Sequence, residues 1–343
     1  MSGMDPLPAL RRISFLLERT LAPTYRVKAF RTAAITVAGL PDAEIRRRAK
    51  AGTLQDLTGI GPKTAAVISQ AVAGERPKYL TDLEEAYRPL ATGGEDLLAE
   101  LRGDLHSHSD WSDGGSPIEE MAITALELGH EYLALTDHSP RLTVANGLSP
   151  ERLRTQLDLV AELNKRLAPF RLLTGIECDI NEDGTLDQSE ELLAEVDVVV
   201  ASVHSKLRAT SAVMTERMLA AVNNPFTDVL GHCTGRLVTG GRGTRPESSF
   251  DAAAVFAACA AADVAVEINS RPERLDPPRR LLRQAVEAGC LFSIDTDAHA
   301  PGQLDFQAYG AARATECEVP ADRVVNTWPV EQLLAWTTRE RRG

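Results

Sequence analysis

Residues 131–138 read EYLALTDH, a short apolar run that ends in Asp137 and His138. Four apolar residues are too few for a helix and suit a buried strand. The same design recurs from Leu101 onward in LRGDLH (101–106), RLLTGIE (171–177), DVVVASVH (197–204), DVLGH (228–232), VAVEIN (264–269) and LFSIDTDAH (291–299). Helical stretches separate the runs. One is 117–129, where Ser116, Pro117 and Glu119 spell a capping box. Strands alternating with helices predict an α/β body of parallel βα units. In barrels built from such units, functional side chains project from the C-terminal ends of the strands, so these polar endings are expected to converge on one mouth.

The endings share a chemistry. Of seven histidines, six (His106, His108, His138, His204, His232 and His299) lie at strand ends; only His130 lies elsewhere, on a turn after a helix where it is expected to be exposed. One such histidine would more often be structural than a ligand. Six of them, accompanied by Asp113, Glu177 and Asp297, are not comfortably explained by packing. In DLHSHSDWSDG (104–114), alternate residues of an extended segment point the same way, so His106 and His108 can face one point. Histidines and carboxylates without cysteine ligands suit a catalytic site for Zn, Mn or Fe. Such a site makes hydroxide available near neutral pH and stabilises charge on a phosphoryl group. The expected reaction is in-line attack of a metal-activated hydroxide on a phosphoester, without a Ser or Cys nucleophile.

Other residues adjoin these ligands. Asp104, Asp137 and Asp295 flank them, where a carboxylate can orient an imidazole or simply cap a strand end. Glu267 and Asn269 lie at a strand end of the same mouth and are expected to support ligands rather than bind metal. Arg236 and Arg274 are candidates to grip phosphate oxygens, or are ordinary surface ion pairs. Cys178 and Cys233 follow Glu177 and His232 directly, so they point to the opposite face and are expected in the core.

Residues 8–79 read differently. PALRRISFLLERTL, YRVKAFRTAAITVAGL and PDAEIRRRAKAG have helical spacing, the last opening at Pro41 and closing at Gly52. LTGIGPKTAAVISQAVAG follows, with Gly59, Gly61 and Pro62 placing a tight turn directly before a new helix. This is a helix-hairpin-helix pattern. Backbone N–H groups of Gly59 and Gly61 and the charge of Lys63 could hold a nucleic-acid phosphate, although Gly-x-Gly before a helix can also be a plain structural turn. Residues 1–80 contain thirteen Lys/Arg against six Asp/Glu, a net +7, so with −12 overall the remainder carries −19. A basic head suits a polyanion and an acidic body suits cations, though both can be solvated surfaces.

KAFRTAA and LTGIGPKTAAVI resemble the N-terminal lyase-type domain of family X DNA polymerases. In the lyase members a Schiff-base lysine falls four residues after the position matching Lys63; here it is Val67, so the resemblance implies DNA binding without lyase chemistry. The acidic stretch 81–100 is expected to be a linker. It leaves no room for a polymerase palm between head and body, so nucleotide polymerisation is not expected.

DLHSHSDWSDG, LALTDHS, GIECDI, ASVHS, LGHCTGRL, EIN and IDTDAHA, seven pieces in order, resemble the PHP (polymerase and histidinol phosphatase) family, most of all the PHP domain at the C-terminus of bacterial family X polymerases. The resemblance implies a distorted (β/α)7 barrel over residues 101–343, TIM-like, behind a small all-α helix-hairpin-helix domain over 1–80. It also implies three divalent ions, Mn or Zn first, with Fe and Mg compatible. Carried over, His106, His108, Glu177 and Asp297 hold the first; Asp113, His138 and His299 the second; Glu177 bridges to a third held by His204 and His232. The acid at 113 is a mild departure, since some members have histidine there.

No apolar run is long enough to cross a bilayer, the N-terminus lacks a secretory core, and five scattered cysteines suit reduced thiols, so a cytoplasmic protein without membrane partners is expected. Three functions compete: a phosphoesterase at DNA ends (3'-5' exonuclease or 3'-end processing in DNA repair), a small-metabolite phosphatase of histidinol-phosphatase type, and a non-catalytic DNA-binding adaptor. The complete ligand set weighs against the last. The missing palm suggests a separate DNA polymerase or repair protein as partner.

Overall fold

The computed structural model describes residues 5–241 and 243–338; the outermost residues of the two expected domains, 1–4 and 339–343, lie outside the described residues. The chain divides into two compact units, Met1–Pro89 and Leu90–Gly343.

The first unit is helical: α1 (Pro6–Arg19), α2 (Thr24–Ala38), α3 (Asp42–Ala51), α4 (Pro62–Val72) and α5 (Lys78–Glu85). Leu10, Ile13 and Leu17 recur on one face of α1 and are fully buried against Phe30, Ala33 and Ile68. Each large apolar side chain buried this way contributes roughly 1.5–3 kcal/mol before entropy is counted. Gly52 ends α3 in the left-handed conformation, with φ 70°. Gly59 has φ 87°, and a Cβ there would lie 2.5 Å from the Thr32 methyl, so both backbone and packing require glycine. Val67 is buried in this core. The position of the lyase lysine is thus a packing position here.

Residues 81–100, expected to be one linker, divide between the units. Helix α5 packs on the first core through Leu80 and Leu83, because those residues complete an amphipathic face. Helix α6 (Glu95–Glu100) packs in the second unit, where a Cβ on Gly94 would meet the backbone of Ala312.

Among the described residues the second unit has seven strands, β1 (Gly103–Ser107), β2 (Tyr132–Leu135), β3 (Arg171–Asp179), β4 (Val198–Ser202), β5 (Val229–Leu230), β6 (Ala265–Asn269) and β7 (Leu291–Asp295). Its helices are α7 (Ile118–Glu127), α8 (Pro150–Leu167), α9 (Glu190–Leu193), α10 (Ser211–Val222), α11 (Ala252–Ala261), α12 (Arg279–Glu287), α13 (Gln307–Glu316) and α14 (Val330–Thr337). The strands are parallel and neighbours in chain order, which gives a nearly closed, TIM-like (β/α)7 barrel. Helix α7 begins at Ile118 after Pro117, and Ser116 makes no cap; its hydroxyl is buried without a hydrogen-bond partner, so the expected capping box does not form.

Alternation along the strands sorts side chains between the two cores. On β4, Val198 and Val200 enter the inner cluster, while Val199 and Ala201 face the outer one. On β3, Leu173 lies in the inner cluster and Ile176 and Cys178 in the outer, which turns Glu177 inward at the strand's end. Cys178 and Cys233 are both buried thiols of the outer core, as the alternation requires.

Between β1 and β7, side chains reinforce the seam. Asp295 Oδ1 accepts the Leu105 N–H at 2.9 Å, and Asp104 accepts the His106 and Thr296 N–H groups at 3.1 and 3.3 Å. Asn326 bridges Asp295 Oδ1 (2.9 Å) and the Ile294 N–H (2.7 Å). Among the described residues, no helix is long and apolar enough to cross a membrane.

Candidate metal centre

The C-terminal ends of the strands bring together all nine residues expected to bind metal. Most of the separations between ring nitrogens and carboxylate oxygens fall in one narrow band. His106 Nε2 lies 3.4 Å and His108 Nε2 3.5 Å from Glu177 Oε2, and His108 Nε2 is 3.4 Å from Asp297 Oδ1. His204 Nε2 and His232 Nε2 lie 3.3 and 3.0 Å from the other oxygen, Oε1, of Glu177. His138 Nε2 and His299 Nε2 lie 3.5 and 3.3 Å from Asp113 Oδ1. Two ligand atoms each about 2.1 Å from one ion, at angles between octahedral and tetrahedral, are about 3.0–3.4 Å apart. The spacing therefore fits donors that share an ion.

Three groups have the geometry to hold a cation: His108, Asp113, His138 and His299; His106, His108 and Asp297; and His138, Glu177 and His204. His232 joins the last through Glu177. Glu177 stands between groups, with one oxygen toward His106 and His108 and the other toward His204 and His232.

Unpaired donors give an independent test of fit. His106 Nε2, both nitrogens of His108, His138 Nδ1, His204 Nε2 and Glu177 Oε2 are buried without a hydrogen-bond partner. His138 Nδ1 and Glu177 Oε2 lie 2.9 Å apart yet are not aligned as a hydrogen bond. Buried polar atoms are rarely left unpaired, so such a concentration at one point suits a bound cation. Burial pushes His108 down to about 3 and His232 to about 4, with the His299 and His138 rings adding to the first and Arg274 to the second, which keeps these imidazoles neutral and able to ligate. Burial opposes charge on Glu177 too, but His106, His204 and His138 hold its carboxyl well below the usual range.

Three of the rings are held from behind through Nδ1. Glu267 Oε1 lies 2.6 Å from His106 Nδ1, and Asp179 Oδ1 lies 2.6 Å from His204 Nδ1. Arg271 Nη1 and the Asp297 carbonyl each lie 2.8 Å from His299 Nδ1. These partners fix ring orientation so that Nε2 faces inward. Glu267 also accepts the His232 N–H, and Asn269 Nδ2 donates to Asp297 Oδ2 at 3.2 Å.

The remaining expected residues divide. Arg274 Nε donates to Asp297 Oδ2 at 3.1 Å, one of its terminal nitrogens is buried without a partner, and it lines a cavity of about 620 Å³ together with Asp113, Glu177 and His204. Arg236 is not at this cavity: its guanidinium donates to the carbonyls of Arg274 and Leu275, so it braces the loop that carries Arg274 and does not grip phosphate. Asp104 closes the β1–β7 seam. Asp137 is spent on Ser109, Ser112 and Gln156, shaping the loop that carries Asp113. Both contact backbone or polar side chains and not the histidine rings. His130 is half-buried rather than exposed, and burial pushes it down to about 4.

Asp179 and Arg271 escaped the sequence reading. Asp179 lies two residues beyond Glu177 on the same face of β3, a signal that was available. In the first unit, Gly59, Gly61 and Lys63 meet at one turn. The Gly61 N–H is taken by the Thr64 hydroxyl at 2.9 Å, so that donor is not offered to a phosphate. Lys63 is exposed, its ammonium 6.0 Å from the Tyr79 ring.

Residues 104–271 match the PHP domain and residues 4–77 a helix-hairpin-helix domain. The chain is 38% identical over 242 residues to the DNA polymerase/3'-5' exonuclease PolX of Bacillus subtilis (strain 168), a match that covers 71% of this chain and 42% of that protein. The chain thus spans about two fifths of that relative's length. It is 28% identical to the "Probable phosphatase" of Serratia proteamaculans (strain 568), over 70% of this chain and 94% of that one. Among solved structures, histidinol phosphate phosphatase from Lactococcus lactis subsp. lactis Il1403, complexed with zinc, L-histidinol and phosphate, aligns with TM-score 0.44 and 19% identity, covering 63% of this chain and 92% of that one.

Proposed function

From the PHP domain matched over residues 104–271 we propose that the chain is a metal-dependent phosphoesterase that acts at DNA ends, as a 3'-5' exonuclease or 3'-end processing enzyme. The observation that carries the hydrolase class is the convergence of nine His, Asp and Glu side chains with unpaired donors turned to one point. The DNA substrate is supported by the helix-hairpin-helix domain ahead of the barrel and by the likeness to a relative described as a 3'-5' exonuclease.

His106, His108, Glu177 and Asp297 would hold one ion, Asp113, His138 and His299 a second, and Glu177, His204 and His232 a third, with Mn or Zn best suited to this donor set. Bound divalent ions supply hydroxide near neutral pH and offset charge on the phosphoryl group. The chain's own part is positional. Glu267, Asp179 and Arg271 hold the rings, and Arg274 offers a donor to a phosphate oxygen at the cavity wall. At a 3' end, hydrolysis forms a new P–O bond to water oxygen and breaks the P–O3' bond. It leaves a 3'-hydroxyl on the strand and a nucleoside 5'-monophosphate in solution. The helix-hairpin-helix turn would hold the duplex through backbone donors and Lys63.

A small-ester phosphatase is the second reading, favoured by the likeness of the body to a phosphatase of nearly the same extent. Metal-stripped protein reloaded with Mn, Zn or Mg separates the two when given 5'-labelled single-stranded, duplex and 3'-phosphate-ended DNA, with histidinol phosphate in parallel. Metal-dependent shortening of DNA, or loss of its 3' phosphate, supports the first. Intact DNA beside rapid phosphate release from the small ester overturns it.

A further inference from the structure

Arg208, four residues beyond His204, lines the metal cavity and also a second cavity of about 350 Å³, bounded by Glu182, Lys206, Ala209, Val213 and Arg217. One side chain thus borders both spaces. The second is basic within a body of net −19. Lys206 and Arg208 are exposed, and among the described residues neither makes a side-chain hydrogen bond or ion pair. Glu182, the one acid of the lining, faces Arg141 at 3.8 Å. The lining also has apolar members: Ala209 and Val213, the latter 51% exposed.

The platform under the two cations is fixed. Buried Arg217 donates to the carbonyls of Ser205 (2.8 Å) and Asn181 (2.8 Å), and Ser248 Oγ donates to the Leu207 carbonyl at 2.9 Å. Lys206 itself is held at φ 55°, a conformation seldom adopted by a residue with a Cβ. Strain of this kind persists where the surroundings over-determine it. The surroundings here present two cations on one rigid turn, next to the metal ligand His204.

We propose that this second cavity is a subsite for the single-stranded polynucleotide running away from the reacting end, with Lys206 and Arg208 on a phosphate upstream of the scissile one and the Ala209–Val213 wall against its sugar or base. The inference rests on the DNA-end reading and adds a reason for an acidic body to accept DNA. Cations tracking a backbone beside an apolar wall are the usual means of holding a single strand without reading its sequence. A small phosphoester needs only the metal cavity, whereas a strand continuing past Arg208 can use both.

The test uses the full chain reloaded with manganese, assayed on a 5'-labelled single-stranded oligonucleotide and on bis-p-nitrophenyl phosphate. The quantity read is the ratio of kcat/KM for the two substrates, which is insensitive to any unfolded fraction because both rates come from one preparation. In Lys206→Ala/Arg208→Ala the ratio falls about tenfold or more, mainly through KM, the scale of a lost charge-assisted contact. The charge-conserving Lys206→Arg/Arg208→Lys restores it. An unchanged ratio in an enzyme whose wild type degrades the oligonucleotide overturns the subsite and leaves the proposed function standing. A wild type that cleaves the small diester but neither shortens the oligonucleotide nor removes a 3' phosphate from it overturns both.

Discussion

Glu267 Oε1 sits 2.6 Å from His106 Nδ1, with both side chains wholly removed from solvent. That contact commits Nδ1 and leaves Nε2 turned toward Glu177. Glu267→Gln keeps the shape and removes the charge. Metal affinity, read by competition with a chelator, is expected to fall about 10–100-fold, with the far-UV circular dichroism unchanged. Unaltered affinity would detach Glu267 from the metal centre.

Arg236 braces the Arg274–Leu275 backbone. Arg236→Ala leaves two part-buried carbonyls without their charged donor and is expected to lower stability by about 1–3 kcal/mol. The urea midpoint checks this. Lysine is expected to recover little of the loss, since one ammonium cannot reproduce the guanidinium fork.

His130 gives a pH signature separate from the metal ligands. Burial lowers it from 6.5 to about 4, so between those values the unfolded chain binds a proton that the folded chain does not. Its contribution to stability is therefore full above pH 6.5 and is lost as the pH falls toward 4. In His130→Gln that component is absent, and the difference between the two denaturation midpoints is expected to shrink across this interval.

Much of the site was legible because strand alternation is local. Once β3 is a strand, Glu177 and Cys178 must face opposite ways, and the seven polar run endings must gather at one mouth. The choice between the two readings of Arg236 was not legible because its direction depends on a long-range approach of two loops, with Leu275 at φ 48°, which no periodicity encodes. The Ser116 cap failed for a similar reason: the helix starts one residue later than the motif suggests, and the serine is buried instead. The division of 81–100 between two cores depended on where Leu80 and Leu83 could be buried.

The head is expected to bind DNA through charge. Lys63→Ala weakens binding to duplex DNA and reduces the slope of log K against log salt by about 0.9. Filter binding at several salt concentrations measures both. An unchanged slope would remove Lys63 from the contact.

The most direct measurement is the number of ions per chain in metal-stripped protein reloaded with manganese and dialysed, compared between wild type and Glu177→Gln. The account predicts three ions in the wild type and, because Glu177 stands between the groups, no more than one in the variant, with phosphoester hydrolysis lost alongside. No retained ion in the wild type, or the same count in both proteins, would contradict it.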